Sequence, residues 1–256
     1  MRQKGNNDGA KGKSQRRSGL RRFLGNISMF LKVLFLGNSH TYLHYMPRTL
    51  VGLVKAENSG FDLEVDQRVG EGVSLEWHWN DKRSRRRMRE KKWDYIVLQD
   101  RSGGPLEEPA SFQKYAGLLD GEIKKLGSRT IFYLTWANLS LPETQKILTE
   151  SYSRMAAQLD AVLAPVGPAW AKVRNMSPDL RLHHRDGRHA SPVGAYLTAC
   201  VFYSILFDTS PVGLPANLFI EGKMRPEQDD AQALVLQKAA WETVTNIENR
   251  TSNIEF

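Results

Sequence analysis

Two short stretches about 150 residues apart hold the side chains best suited to acyl transfer. The first is Gly37-Asn38-Ser39-His40-Thr41 and the second is Asp186-Gly187-Arg188-His189-Ala190-Ser191-Pro192. A serine hydroxyl is a weak nucleophile until an adjacent base removes its proton. An Asp and a His three apart on one turn can lie side by side. The carboxylate then fixes the imidazole tautomer and leaves the other ring nitrogen free to take a hydroxyl proton. Ser39, His189 and Asp186 together would supply nucleophile, base and orienting acid. Each stretch also has a plainer reading: Ser39 as the cap of a following helix, and Asp186 to His189 as a polar surface turn with an idle histidine.

The surrounding pattern says how such residues would be positioned. Lys32-Val33-Leu34-Phe35-Leu36 is a short run rich in β-favouring residues that ends at Gly37, as a buried parallel strand does. Ser39 would then stand in the crevice beyond the carboxyl end of a strand, where open α/β sheets bind ligands. A helix is expected over Met46–Asn58 and a second strand over Leu63–Val69, followed by the glycine-bearing loop Gly70-Glu71-Gly72-Val73-Ser74-Leu75. The basic segment after it is expected to form an exposed helix. Trp93–Gln99 reads as a third strand, 110–126 as a helix and Arg129–Thr135 as a fourth strand. A long amphipathic helix is expected over Pro142–Leu163 and a short last strand over Val166–Trp170. Ser191-Pro192 opens a helix through Phe207, and 226–248 closes the chain. Strands alternating with helices predict a parallel sheet covered on both faces.

Composition bounds the alternatives. A chain of 256 residues with 41% hydrophobic content and a negative mean hydropathy can bury one sizeable core. It contains no run of about 18 uncharged apolar residues, so no membrane-spanning helix is expected. Without a credible export signal the expected location is the cytoplasm: Arg21-Arg22 precedes an apolar stretch that runs straight into the Ser39 strand. Cys200, the single cysteine, lies in an apolar run and reads as a small buried hydrophobe. The net charge of +8 is local. Eight basic residues against one acidic give residues 1–22 a charge of +7, and eight against two give 81–92 a charge of +6, which leaves −5 for the remainder. Charge runs of this kind are commonly solvated, and no aromatic residues alternate with the basic ones as a single-strand platform requires. Residues 1–28 read as a basic tail ahead of a single domain over 29–256, with Met29 a candidate initiation site.

In combination these blocks resemble the SGNH/GDSL hydrolase family over about residues 30 to 208, and especially a bacterial branch with Gly-Asn-Ser in its first block. The likeness implies a flavodoxin-like three-layer α/β/α sandwich with a central, mainly parallel five-stranded sheet. It also implies hydrolysis of acyl esters, often acetyl esters of carbohydrates or lipids, with Ser39 as nucleophile, His189 as base and Asp186 as its partner. The family's oxyanion donors correspond to the N–H of Ser39 and a glycine N–H in the second block, here Gly72 with Gly70 as fallback. The third is an Asn side chain after strand three. This chain departs there, since Leu98-Gln99-Asp100-Arg101-Ser102 has no Asn. Gln99 has an amide of the same kind, directed either at the oxyanion or into the sheet. No cofactor or metal is called for: His40, His44 and His78 lack a carboxylate pattern, and His183 and His184 lack an Asp at the spacing that precedes His189. The departure at the third block keeps open a non-catalytic module that binds an acylated glycan. The basic segments keep open a nucleic-acid binder.

Overall fold

Strand β1 (Met29–Gly37) is central to a five-stranded sheet. The structure, a computed structural model, describes residues 29–57, 60–220, 222–225 and 228–252. The basic tail expected over 1–28 lies outside the described residues. Strands β2 (Phe61–Val69), β3 (Tyr95–Leu98), β4 (Arg129–Tyr133) and β5 (Val162–Ala164) complete the sheet in the order β2-β1-β3-β4-β5. Every pairing is parallel, with Val33 opposite Val65 on one side and Tyr95 on the other. This order reverses direction between β1 and β3, which opens a crevice at the carboxyl end of β1.

Side chains of β1 alternate between two cores because successive Cβ atoms point to opposite faces of a strand. Val33 and Phe35 pack under the helices Met46–Glu57, Val166–Met176, Pro192–Phe207 and Asp230–Ser252. Leu34 and Leu36 pack under Leu75–Asn80, Lys82–Arg89, Pro109–Lys125 and Thr144–Gln158. The result is the three-layer α/β/α sandwich that the alternation of elements predicts. The helix Pro192–Phe207 is apolar on nearly all sides, and Cys200 within it is fully buried, as a small hydrophobe would be.

Two expected elements are corrected. The helix expected over Pro142–Leu163 ends at Gln158, and Asp160 turns the chain through a left-handed conformation (φ 42°) into β5. The segment 166–170, expected as the last strand, is instead the first turns of the helix Val166–Met176. Its buried residues Val166, Ala169, Trp170 and Val173 follow helical spacing, and Pro168 is tolerated because it falls in the first turn. The basic segment forms the expected exposed helix, Lys82–Arg89, which follows the short helix Leu75–Asn80 and is capped by Asp81, whose carboxylate accepts from the N–H groups of Arg83 and Ser84. An antiparallel pair, Leu218–Ile220 with Lys223–Arg225, was not foreseen.

Candidate active site

The chain leaves β1 through Asn38 into a four-residue helical turn, Ser39–Tyr42. The capping role that the sequence leaves open for Ser39 falls to Asn38, whose Oδ1 accepts from His40 N–H. Asn38 is tied down on three further sides. Its N–H donates to Gln99 Oε1 (2.8 Å), its Oδ1 accepts from Gln99 Nε2 (2.9 Å), and its Nδ2 donates to the Val73 carbonyl of the glycine loop (2.9 Å). Immediately before it, the Gly37 carbonyl accepts from Nε2–H of the buried His78 (3.0 Å). Immediately after it, the His40 carbonyl accepts from the Tyr133 hydroxyl (3.1 Å). The backbone on either side of Ser39 is therefore held by buried polar side chains from β3, β4 and the glycine-loop helix.

The second stretch arrives from the opposite direction in sequence and meets the first. Ser39 Oγ lies 2.9 Å from His189 Nε2, and His189 Nδ1 lies 2.6 Å from Asp186 Oδ2. A carboxylate can only accept, so Nδ1 carries the hydrogen and Nε2 presents its lone pair to the serine hydroxyl. Asp186 Oδ1 accepts from the backbone N–H groups of Arg188 (2.9 Å) and His189 (3.0 Å), a local turn made possible by Gly187 at φ 69°. Partial desolvation works to raise the Asp186 carboxyl pKa. The hydrogen bonds from the His189 ring and the two backbone N–H groups outweigh it and hold the pKa well below the usual carboxylate range. The turn is pinned to the body of the protein: Trp136 Nε1 donates to the Arg188 carbonyl (2.9 Å) and Leu139 N–H to the Gly187 carbonyl (2.8 Å).

A cavity of about 340 Å³ opens over Ser39, lined among others by Gly72, Ser102, Trp136, Asn138 and His189. Gly72 adopts φ 60°, which a side chain would strain, and thereby brings bare backbone to the cleft. Gln99 resolves its two options in favour of the sheet. It is fully buried, its two amide hydrogens go to Asn38 Oδ1 and the Asp100 carbonyl, and it does not line the cleft. Gln99 therefore positions Asn38 and has no hydrogen left for an oxyanion. The strand-end residues Trp136, Ala137 and Asn138 beyond β4, which line the cleft, were missed in the sequence. The rule that ligands sit beyond strand carboxyl ends would have found them.

Of the other histidines, His40 stands beside His189 and the His184 ring lies 3.7 Å from Asp186 Oδ2, while His78 and His183 make contacts elsewhere. His40 packs its ring 4.8 Å from Trp136 and 5.6 Å from His189. Burial, helped by the neighbouring His189 and Arg188 charges, pushes its pKa down to about 3, so a neutral ring faces His189. Burial likewise lowers His78 to about 4. His183 donates Nε2–H to the Ala137 carbonyl (3.0 Å), and the N–H of His184 donates to the His189 carbonyl (2.8 Å). Among the described residues no three His, Cys, Asp or Glu side chains cluster as metal ligands would, and no helix is long and apolar enough to cross a membrane. In the basic segment, Arg86, Arg87, Arg89 and Lys91 are paired with Glu90, Asp66, Glu122 and Glu64, which spends half of its positive charge within the protein.

The fold is an α/β/α sandwich that matches an SGNH/flavodoxin-like arrangement, and solved structures share it. A candidate SGNH hydrolase from Slackia heliotrinireducens is 28% identical (TM-score 0.58), with 69% of this chain and 98% of that chain covered. A DUF4886 family protein from Bacteroides uniformis is 18% identical (TM-score 0.67; 86% and 96% covered), and an acetylxylan esterase from Geobacillus stearothermophilus is 14% identical (TM-score 0.57; 75% and 98% covered). No protein-family model and no curated protein matches the chain by sequence. The likeness to the 28% identical hydrolase supports the SGNH superfamily broadly, and the more distant structures share the fold.

Proposed function

We propose that this chain is a serine esterase that hydrolyses an acyl ester of a carbohydrate or lipid through an acyl-enzyme. The observation that carries the reading is the unbroken relay Ser39 Oγ, His189 Nε2, His189 Nδ1, Asp186 Oδ2 with steps of 2.9 and 2.6 Å. Ser39 Oγ attacks the ester carbonyl carbon while its proton passes to His189 Nε2. The imidazolium so formed is stabilised by the Asp186 carboxylate. The oxyanion of the tetrahedral intermediate takes hydrogen bonds from the N–H of Ser39, which as the first residue of a helical turn has no intrahelical partner, and from the N–H of Gly72. His189 then returns the proton to the departing alkoxide as the ester C–O bond breaks. Water repeats the sequence against the acyl-enzyme, giving up one proton to His189, and the carboxylic acid leaves with Ser39 restored.

A p-nitrophenyl acetate assay of wild type beside Ser39→Ala tests this, together with labelling by a fluorophosphonate probe. Turnover that disappears in the variant, with the probe mapped to Ser39, is the expected result; equal turnover by both proteins defeats the assignment. The orientation of the Gln99 amide away from the cleft favours a second reading, a module that binds an acylated glycan without cleaving it. Glycan binding without turnover across a panel of acyl esters would establish that reading instead.

A further inference from the structure

Beside the cleft over Ser39 lies a surface that carries several arginines with no carboxylate partner. Trp136 and Ala137 form a wall common to the Ser39 cavity and a second cavity of about 310 Å³. Arg174, Asn175 and His183 are in turn common to that second cavity and a third of about 420 Å³. The third cavity has a floor of Pro178, Leu180 and Leu182 and a rim that carries Arg174, Arg181 and Arg185. It abuts the turn that holds the base: Leu139 on its wall donates N–H to the Gly187 carbonyl, and Arg185 directly precedes Asp186.

Several other arginines of this protein are paired with carboxylates. Arg68 meets Asp81, Arg87 meets Asp66 and Glu90, Arg89 meets Glu122, and Arg101 meets Glu107 and Glu108. Among the described residues, Arg174, Arg181, Arg185 and Arg188 have no carboxylate within the 4.0 Å of an ion pair. Asp179 does not line the cavity, and Asp186 is already engaged by His189 and two backbone N–H groups. This concentration is not a by-product of a basic chain, because the residues outside 1–22 and 81–92 carry a net −5. Guanidinium groups are planar five-donor forks suited to carboxylate, sulfate and phosphate, and three of them rim this apolar floor.

We propose that this arginine-rimmed cavity is a specificity subsite for an anionic group, a carboxylate or phosphate, borne by the alcohol part of the ester that Ser39 cleaves. The proposal rests on the serine esterase reading. The apolar floor would receive the C–H face of the alcohol moiety while the arginines take its charge.

Two measurements on the full chain decide it, with the triple variant Arg174→Gln, Arg181→Gln, Arg185→Gln checked for an unchanged melting curve. The first is calorimetric titration with inorganic phosphate, which needs no turnover. Wild type is expected to bind and the variant to bind about tenfold or more weakly. The second compares acetylated glucuronic acid and acetylated glucose 6-phosphate with acetylated glucose. Wild type is expected to favour the charged esters by about tenfold in kcat/KM, through KM, and the variant to lose that preference. Absence of phosphate binding, an equal affinity in the variant, or phosphate binding without preference for the charged esters overturns the subsite. No turnover of any ester defeats the esterase reading instead, and the titration still reports on the anion site by itself.

Discussion

Replacing Asp186 by Asn tests the relay at its most constrained point. Asp186 Oδ1 already accepts from two backbone N–H groups, at 2.9 and 3.0 Å, so the amide of an introduced Asn has one usable orientation. Its oxygen must stay on those donors, which turns Nδ2 and its hydrogens towards His189 Nδ1. That nitrogen can then only accept, the ring hydrogen moves to Nε2, and Nε2 faces Ser39 Oγ as a donor unable to remove its proton. Two losses add. The imidazolium forfeits a charge-assisted hydrogen bond, about 1.5–3 kcal/mol, and restoring the productive tautomer leaves two N–H groups opposed, about 1–3 kcal/mol. At 1.36 kcal/mol per factor of ten, kcat should fall by about 10² to 10⁴. The assay is ester turnover, read beside long-range nitrogen–proton correlation spectra of the His189 ring. Those spectra should report Nδ1–H in wild type and Nε2–H in the variant. Folding should be little affected, because the Asp186 side chain is 43% exposed. A variant within tenfold of wild type, or one whose His189 tautomer does not change, would refute the reasoning.

Asn38→Asp should destabilise by about 1–3 kcal/mol in urea titrations, since Asn38 Nδ2 donates to the Val73 carbonyl and a carboxylate there would face it unpaired; an unchanged midpoint would contradict this. Burial raises the Asp100 carboxyl to about 6, so its ionisation opposes folding increasingly from about pH 4 to pH 6. Asp100→Asn, which keeps an acceptor for the Leu75 N–H, should therefore be more stable than wild type by about 3 kcal/mol at pH 8 and by little at pH 4, as denaturant titrations at both pH values would reveal. His40 and His78 act in the opposite sense. Their folded pKa values of about 3 and about 4 lie below the ordinary 6.5, so they contribute stability above pH 6.5 that is lost as pH falls towards 4. Between pH 7 and pH 5 each should cost about 2 kcal/mol while Asp100 returns about 1, a net loss of about 3 kcal/mol. A protein equally stable at pH 7 and pH 5 would show that these rings are not held neutral.

Much of the architecture was legible in the chain because it depends on local periodicity. The strand before Ser39, the glycine turn after it and the helix from Ser191-Pro192 to Phe207 each follow from the apolar pattern and its punctuation. The errors fell where such patterns are ambiguous. Val166 to Trp170 is short and apolar enough for a strand, and only its continuation to Val173 at helical spacing settles it as a helix. The spacing of Asp186 and His189 was likewise a local fact: a carboxylate three residues before an imidazole, with Gly187 between them, forms its own turn.

The direction of the Gln99 amide was not readable, because a strand-end glutamine can reach either the cleft or its neighbour on the next strand. The partner that decides between them, Asn38, is 61 residues away. The gathering of Arg174, Arg181 and Arg185 around one cavity was equally hidden, since it depends on how the helix Val166–Met176 packs beside the loop that precedes His189. Sequence alone determined which groups could do chemistry and that a parallel sheet would carry them, because residue type and period are local properties of the chain. Only the tertiary structure decided that Ser39 and His189 meet at 2.9 Å and that Gln99 serves Asn38, because contacts across 150 and 61 residues are fixed by the packing of the sheet and its helices.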